Sequence, residues 1–135
     1  MKYILDTNVL SDVMNERATI IARLDGVSSQ DRVATSAVVR GELLFGARRI
    51  PAGRRREELI AKADEVPSRI PCESISADVA DHYADIKLAR RRAGLTLDEN
   101  DLWIAATARA LGAVLITRDR DFQGIEGLAT EDWSS

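Results

Sequence analysis

A chain of 135 residues is of single-domain size, long enough to bury roughly 68% of the surface it exposes when unfolded, so one domain over residues 1–135 is expected. With 45% hydrophobic and 30% charged residues and a net charge of −3, the composition excludes a low-hydrophobicity disordered segment and a membrane span. One cysteine, Cys72, and one histidine, His82, exclude an internal disulfide, a Cys/His zinc site and a two-histidine ribonuclease mechanism.

Lys2 to Leu5 is a short apolar-rich run ended by Asp6-Thr7-Asn8, which reads as a buried strand turning into a helix that continues through Met14. The apolar run before Asp6 is too short for a signal peptide, so a cytoplasmic protein is expected. A second helix is expected over about Thr19 to Leu24 and a strand over Arg32 to Thr35, after which Ser36 can cap a helix carrying Val38, Val39, Leu43, Phe45 and Ala47. Pro51 and Gly53 interrupt the chain before a charged helix from about Arg54 to Val66, closed by Pro67. Ile70 to Ile75 contains Pro71, which favours an edge or irregular strand over a central one. Cys72 within it is expected as a small core residue.

Ser76 can cap the next helix, in which Val79, Tyr83, Ile86 and Arg90 recur at helical spacing and Gly94 marks the end. Asp98 or Asn100 can cap a helix from about Asp101 to Leu111 that is apolar nearly all round and therefore expected inside the molecule. Leu102 to Ile116 is the longest apolar stretch, but Thr107 and Arg109 interrupt it and it falls short of the ~20 residues a membrane span needs. Ala113 to Thr117 reads as a buried parallel strand, Arg118 to Phe122 as its exit turn and Gly127 to Ala129 as a last short strand. Strands alternating with helices predict an α/β fold, a parallel sheet with helices on both faces.

Acids stand where such a sheet binds ligands, beyond the carboxyl ends of its strands. Asp6 follows the first strand, Asp119 follows the late strand, and Asp101 opens the most apolar helix. Each also has a local explanation: Asp6 and Asp119 as turn or cap residues, and Asp101 as the third-position acid of a helix capped by Asp98. Glu42 lacks one, because it sits mid-helix three residues from Val39 and from Phe45, where burial needs a compensating cation. Two carboxylates 4 Å apart repel by about 4 kcal/mol at an effective dielectric near 20, so several cannot stay ionised together unaided. An oxygen-only donor set selects a hard divalent ion, Mg²⁺ or Mn²⁺, and points to phosphate-ester chemistry. His82, on a helix away from these acids, reads as a surface or boundary residue.

The basic residues are clustered in spite of the net negative charge. Arg48 to Lys62 holds six positive residues and two negative, and Lys87 to Arg92 holds four positive and none negative. Such patches bind phosphate even on an acidic protein, and Arg54, Arg55 and Arg56 are the candidates for contact with nucleic acid, against a reading as a solvated helix face. Gly41 to Arg48 only grazes the phosphate-loop pattern, because its interior is helix-forming and the Lys and Ser/Thr are missing. A phospho-receiver module would need an early acidic pair and a late Lys, where Arg118 stands instead.

Leu5-Asp6-Thr7-Asn8-Val9-Leu10, Gly41-Glu42-Leu43, Asn100-Asp101-Leu102-Trp103-Ile104-Ala105-Ala106 and Leu115-Ile116-Thr117-Arg118-Asp119-Arg120-Asp121-Phe122, in this order over essentially the whole chain, resemble the PIN-domain family and, within it, VapC-type toxins of bacterial toxin–antitoxin pairs. The resemblance implies an α/β/α sandwich with a mostly parallel central sheet. It also implies an endoribonuclease dependent on Mg²⁺ or Mn²⁺, often a homodimer, inhibited by a small antitoxin that covers the active site. By position Asp6, Glu42, Asp101 and Asp119 match the family's acidic quartet, as metal ligands and catalytic residues. Asn8 and Thr117 match polar positions beside the metal or the water, with Asp121 and Asp98 as rival acids. A nuclease of RNA maturation or of DNA, or a PIN scaffold that binds RNA without cutting it, would share these motifs.

Overall fold

The structure is a computed structural model and describes residues 1–134. Five strands alternate with six helices: β1 (Lys2–Leu5), α1 (Thr7–Met14), α2 (Ala18–Asp25), β2 (Arg32–Ser36), α3 (Ala37–Arg48), α4 (Arg54–Glu65), β3 (Cys72–Glu73), α5 (Ala77–Arg92), α6 (Glu99–Ala110), β4 (Val114–Ile116) and β5 (Ala129–Glu131). All strand pairs are parallel, in the order β3-β2-β1-β4-β5. Ile4 and Leu5 in β1, and Leu115 and Ile116 in β4, are fully buried. Successive strand residues point to opposite faces, so helices cover both sides of the central strands, as the α/β reading expects.

The chain winds from β1 outward through β2 to β3, then returns to the other side of β1 to lay down β4 and β5. The reversal leaves a switch point between β1 and β4, beyond whose carboxyl ends a crevice opens. Asp6 follows β1 and Thr117 follows β4, so the topology alone brings these two residues side by side. Local chemistry sets the elements around them. Ser36 caps α3 and Ser76 caps α5, each hydroxyl accepting from a backbone N–H three residues on. Helix α6 is capped by Asp98 and buries Leu102, Ile104, Ala105, Ala106, Thr107 and Ala108, which fixes the helix that carries Asp101 in the centre of the molecule. Gly112, at φ +63°, supplies the left-handed turn between α6 and β4. Among the described residues no helix is long and apolar enough to cross a membrane.

Two expectations of burial are corrected. Cys72 is exposed on the edge strand β3, not in the core; Pro71 beside it shortens that strand to two residues. Phe45 is 67% exposed because it lies about 120° around the helix from fully buried Val39, and its ring instead carries the Arg49 guanidinium 5.6 Å away. The last strand begins at Ala129, two residues later than expected, since Gly127 at φ +79° belongs to the preceding turn.

Candidate active site

Asp6 is 4% exposed and continues the sheet register, its N–H donating to the Ile116 carbonyl at 2.9 Å. Its Oδ1 accepts the N–H of Thr7 at 2.8 Å, capping α1. Its Oδ2 accepts the Thr117 hydroxyl at 2.7 Å across the switch point. Thr117 Oγ1 in turn accepts the Asp119 N–H at 3.0 Å, and Thr7 Oγ1 donates to Glu42 Oε1 at 2.8 Å. One run of hydrogen bonds, Asp119 N–H to Thr117 to Asp6 to Thr7 to Glu42, therefore fixes two carboxylates, Asp6 and Glu42, and the backbone of Asp119 beside them.

Asp101 occupies the third position of α6, and its carboxylate makes no hydrogen bond among the described residues. Burial first, and then the Asp6, Asp119, Asp98 and Glu42 carboxylates, push its pKa from 3.8 up to about 7. Asp6 is also raised, by its burial above all and in a smaller measure by Asp119, against the opposing hydrogen bonds from Thr117 and Thr7. The other three expected acids therefore lie within electrostatic reach of Asp101, and Asp119 also of Asp6. Asp98 joins them from the α6 cap, while Asp121 perturbs neither Asp6 nor Asp101 and is exposed, its N–H donating to Asp119 Oδ1 at 2.9 Å.

The helix-cap readings hold as well. Asp6 caps α1, Asp98 caps α6, and Asp119 caps the short 3-10 turn Arg120–Phe122, so capping and clustering are compatible duties. Asn8 lies on the first turn of α1 with its Oδ1 buried and without a hydrogen-bond donor. Arg54, Arg55 and Arg56 form the first turn of α4, where Arg54 pairs with Glu58 at 3.0 Å; none of them bonds to a residue of the acidic cluster. His82 accepts from Arg109 Nε at 2.8 Å on α5, apart from the acids.

Thr7 escaped the sequence reading. Its hydroxyl bridges Asp6's helix to Glu42, and the only sequence signal was its place between Asp6 and Asn8. Among the described residues no group of three or more His, Cys, Asp or Glu side chains stands close enough together to hold a metal ion. Mg²⁺ commonly keeps several waters and takes one or two carboxylates plus substrate phosphate oxygens, so an open set of oxygen donors, a carboxyl that burial and neighbouring carboxylates keep protonated to about 7, and an unpaired buried amide oxygen fit such an ion.

The PIN-domain model matches residues 3–128. The chain belongs to the PIN-domain family. It is 32% identical to ribonuclease VapC1 of Haemophilus influenzae over 99% of both chains. Among solved structures this PIN domain is similar to a chain of VapBC2 from Rickettsia felis bound to a DNA fragment from the promoter, with TM-score 0.89 and 28% identity over 98% of this chain and 99% of that one. It is also similar to a chain of a toxin–antitoxin complex from Klebsiella pneumoniae, with TM-score 0.70 and 26% identity over 95% and 96%.

Proposed function

We propose that this PIN domain is a metal-dependent endoribonuclease, the toxin of a toxin–antitoxin pair, acting on RNA in the cytoplasm and held inactive by a small cognate partner. The observation that carries the reading is the rise of the Asp101 pKa to about 7, driven by burial and then by the carboxylates of Asp6, Asp119, Asp98 and Glu42, at the switch point of a PIN fold. These four residues would hold Mg²⁺ or Mn²⁺. Such an ion supplies Lewis acidity and charge neutralisation at a phosphodiester.

The chain's own groups do the positioning. Thr117 holds Asp6 by one oxygen and the Thr7 N–H holds the other, so this carboxylate keeps one orientation. Thr7 holds Glu42 in the same way by Oε1, leaving Oε2 without a protein partner. Asp101, with both oxygens uncommitted, is the group best able to exchange its proton for a cation. Asn8 and Thr117 serve as the polar positions beside the reacting groups.

Expression of this chain alone should slow bacterial growth, and co-expression of a small protein encoded beside it should relieve the defect. That partner is expected to place a basic side chain against the clustered carboxylates, where it neutralises them as a metal would. Normal growth with the free protein, together with RNA cleavage by the purified protein, would favour a maturation nuclease; cleavage of DNA but not RNA would overturn the reading. Arg54, Arg55 and Arg56 are proposed to bind the RNA backbone. Replacing all three with Gln should weaken RNA binding and flatten its salt dependence, by about 0.7 in log–log slope for each phosphate that is no longer neutralised, while leaving metal binding intact. An unchanged slope, read by fluorescence anisotropy, would mark them as a solvated face.

A further inference from the structure

A second charged feature lies along α1 from the acids. Asp12 is six residues beyond Asp6, about 9 Å along the helix axis, and its side chain is only 17% exposed between two arginines. Arg118 Nη1 donates to Asp12 Oδ2, and Arg17 Nε lies 3.8 Å from Oδ1. Arg118 sits between Thr117 and Asp119, so its backbone is part of the acidic site while its side chain reaches back to α1. These three residues, with Val9, Thr19 and Ile20, line an open groove of about 360 Å³ that reaches Ser134. Within the groove's lining two guanidiniums face one carboxylate, with Asp132 in electrostatic reach of Arg118, beside a site where acids prevail.

We propose that this groove is a subsite for a backbone phosphate of single-stranded RNA flanking the scissile one, with Arg118 and Arg17 as the two residues that bind it. The inference rests on the reading of the chain as a ribonuclease. Asp12 cannot satisfy two guanidiniums, each of which offers several donors in a fixed fork. It holds them in place and leaves donors for a phosphate, which Arg binds bidentately. The groove lies within one or two nucleotides of the acids along a strand, and its mouth is polar and open, which suits a backbone more than an apolar helix.

The test measures binding of a single-stranded RNA oligonucleotide by anisotropy at several salt concentrations in EDTA, and kcat and KM with Mn²⁺. Arg118→Gln and Arg17→Gln should each weaken binding about three- to tenfold, lower the log–log salt slope by about 0.7 and raise KM with kcat unchanged. Arg118→Lys should keep the slope. Asp12→Asn should act in the opposite sense and tighten RNA binding, since it removes a competing charge. If the Arg118–Asp12 pair merely braces α1, Arg118→Gln and Asp12→Asn will lower the melting temperature alike and leave the slope unchanged, and the proposal is wrong. It is also wrong if Arg118→Gln releases the small protein partner but leaves RNA binding untouched, for then the groove serves a peptide. Should Arg118→Gln fail to fold, the largely exposed Arg17 and the Asp12→Asn variant carry the same opposed predictions. Wild-type protein that neither binds nor cuts RNA would overturn the ribonuclease reading itself, a result distinct from normal cutting with an unchanged salt slope in the Arg variants.

Discussion

Asp101→Asn should lower RNA cleavage by about 10²- to 10³-fold, the scale on which removal of one charge-stabilising group acts in other active sites. The substitution preserves shape and the N-terminal turn of α6, and removes the one carboxylate that feels all of Asp6, Asp119, Asp98 and Glu42. Asp6→Asn, Asp119→Asn and Glu42→Gln should fall in the same range. Pairs of these changes should cost little more than one, because the four act as a unit. Asp121→Asn is the internal control: exposed, and absent from the groups that raise Asp6 and Asp101, it should lose much less than Asp119→Asn. Cleavage by gel assay at saturating Mn²⁺ reads all five. Equal losses at 119 and 121 would mean that the wrong acid of that pair has been placed in the site.

The same substitution should make the metal-free protein more stable at alkaline pH. Asp101 holds its proton to about 7 in the folded chain against 3.8 when unperturbed. Between these values the folded state therefore binds more protons than the unfolded state, and stability falls as pH rises. The contribution is fully present below about pH 4 and is lost as pH passes 7; buried Asp6, also raised, adds in the same direction. In Asp101→Asn the decline should flatten. Above pH 8 the variant should gain about 1–2 kcal/mol, less than the shift alone would give because solvent screens a half-exposed carboxyl. That corresponds to a rise in Tm of about 3–8 °C for a chain of this length. Thermal unfolding in EDTA from pH 5 to 8.5 measures it, and parallel curves for the two proteins would show that the carboxylates do not crowd one another.

The sheet, the order of the elements and the place of Asp6 and Asp119 beyond strand ends were legible because each depends on local pattern, apolar runs and the caps at Ser36 and Ser76 among them; Glu42 and Asp101 lie inside helices, and the family resemblance joins them to that pair. What escaped depends on tertiary direction. Spacing of three on either side made Phe45 look like a partner of Glu42, but the helix turns it to solvent, and Glu42 is half-buried by its place at the border of that face. Cys72 looked like a small core residue until Pro71 set it on a sheet edge. Thr7 and the pairing of Arg118 with Asp12 link positions 35 and 106 residues apart, and no periodicity carries such information.

Calorimetric titration of Mn²⁺ into the purified protein at pH 6.5, in two buffers of different ionisation enthalpy, tests the central claim most directly. If the four carboxylates form one pocket in which a cation replaces the proton held by Asp101, binding should release most of a proton per ion. Asp101→Asn should abolish that release and weaken binding, and Asp121→Asn should change neither. Binding without proton release, or identical titrations of the wild-type and Asp101→Asn proteins, would contradict the account.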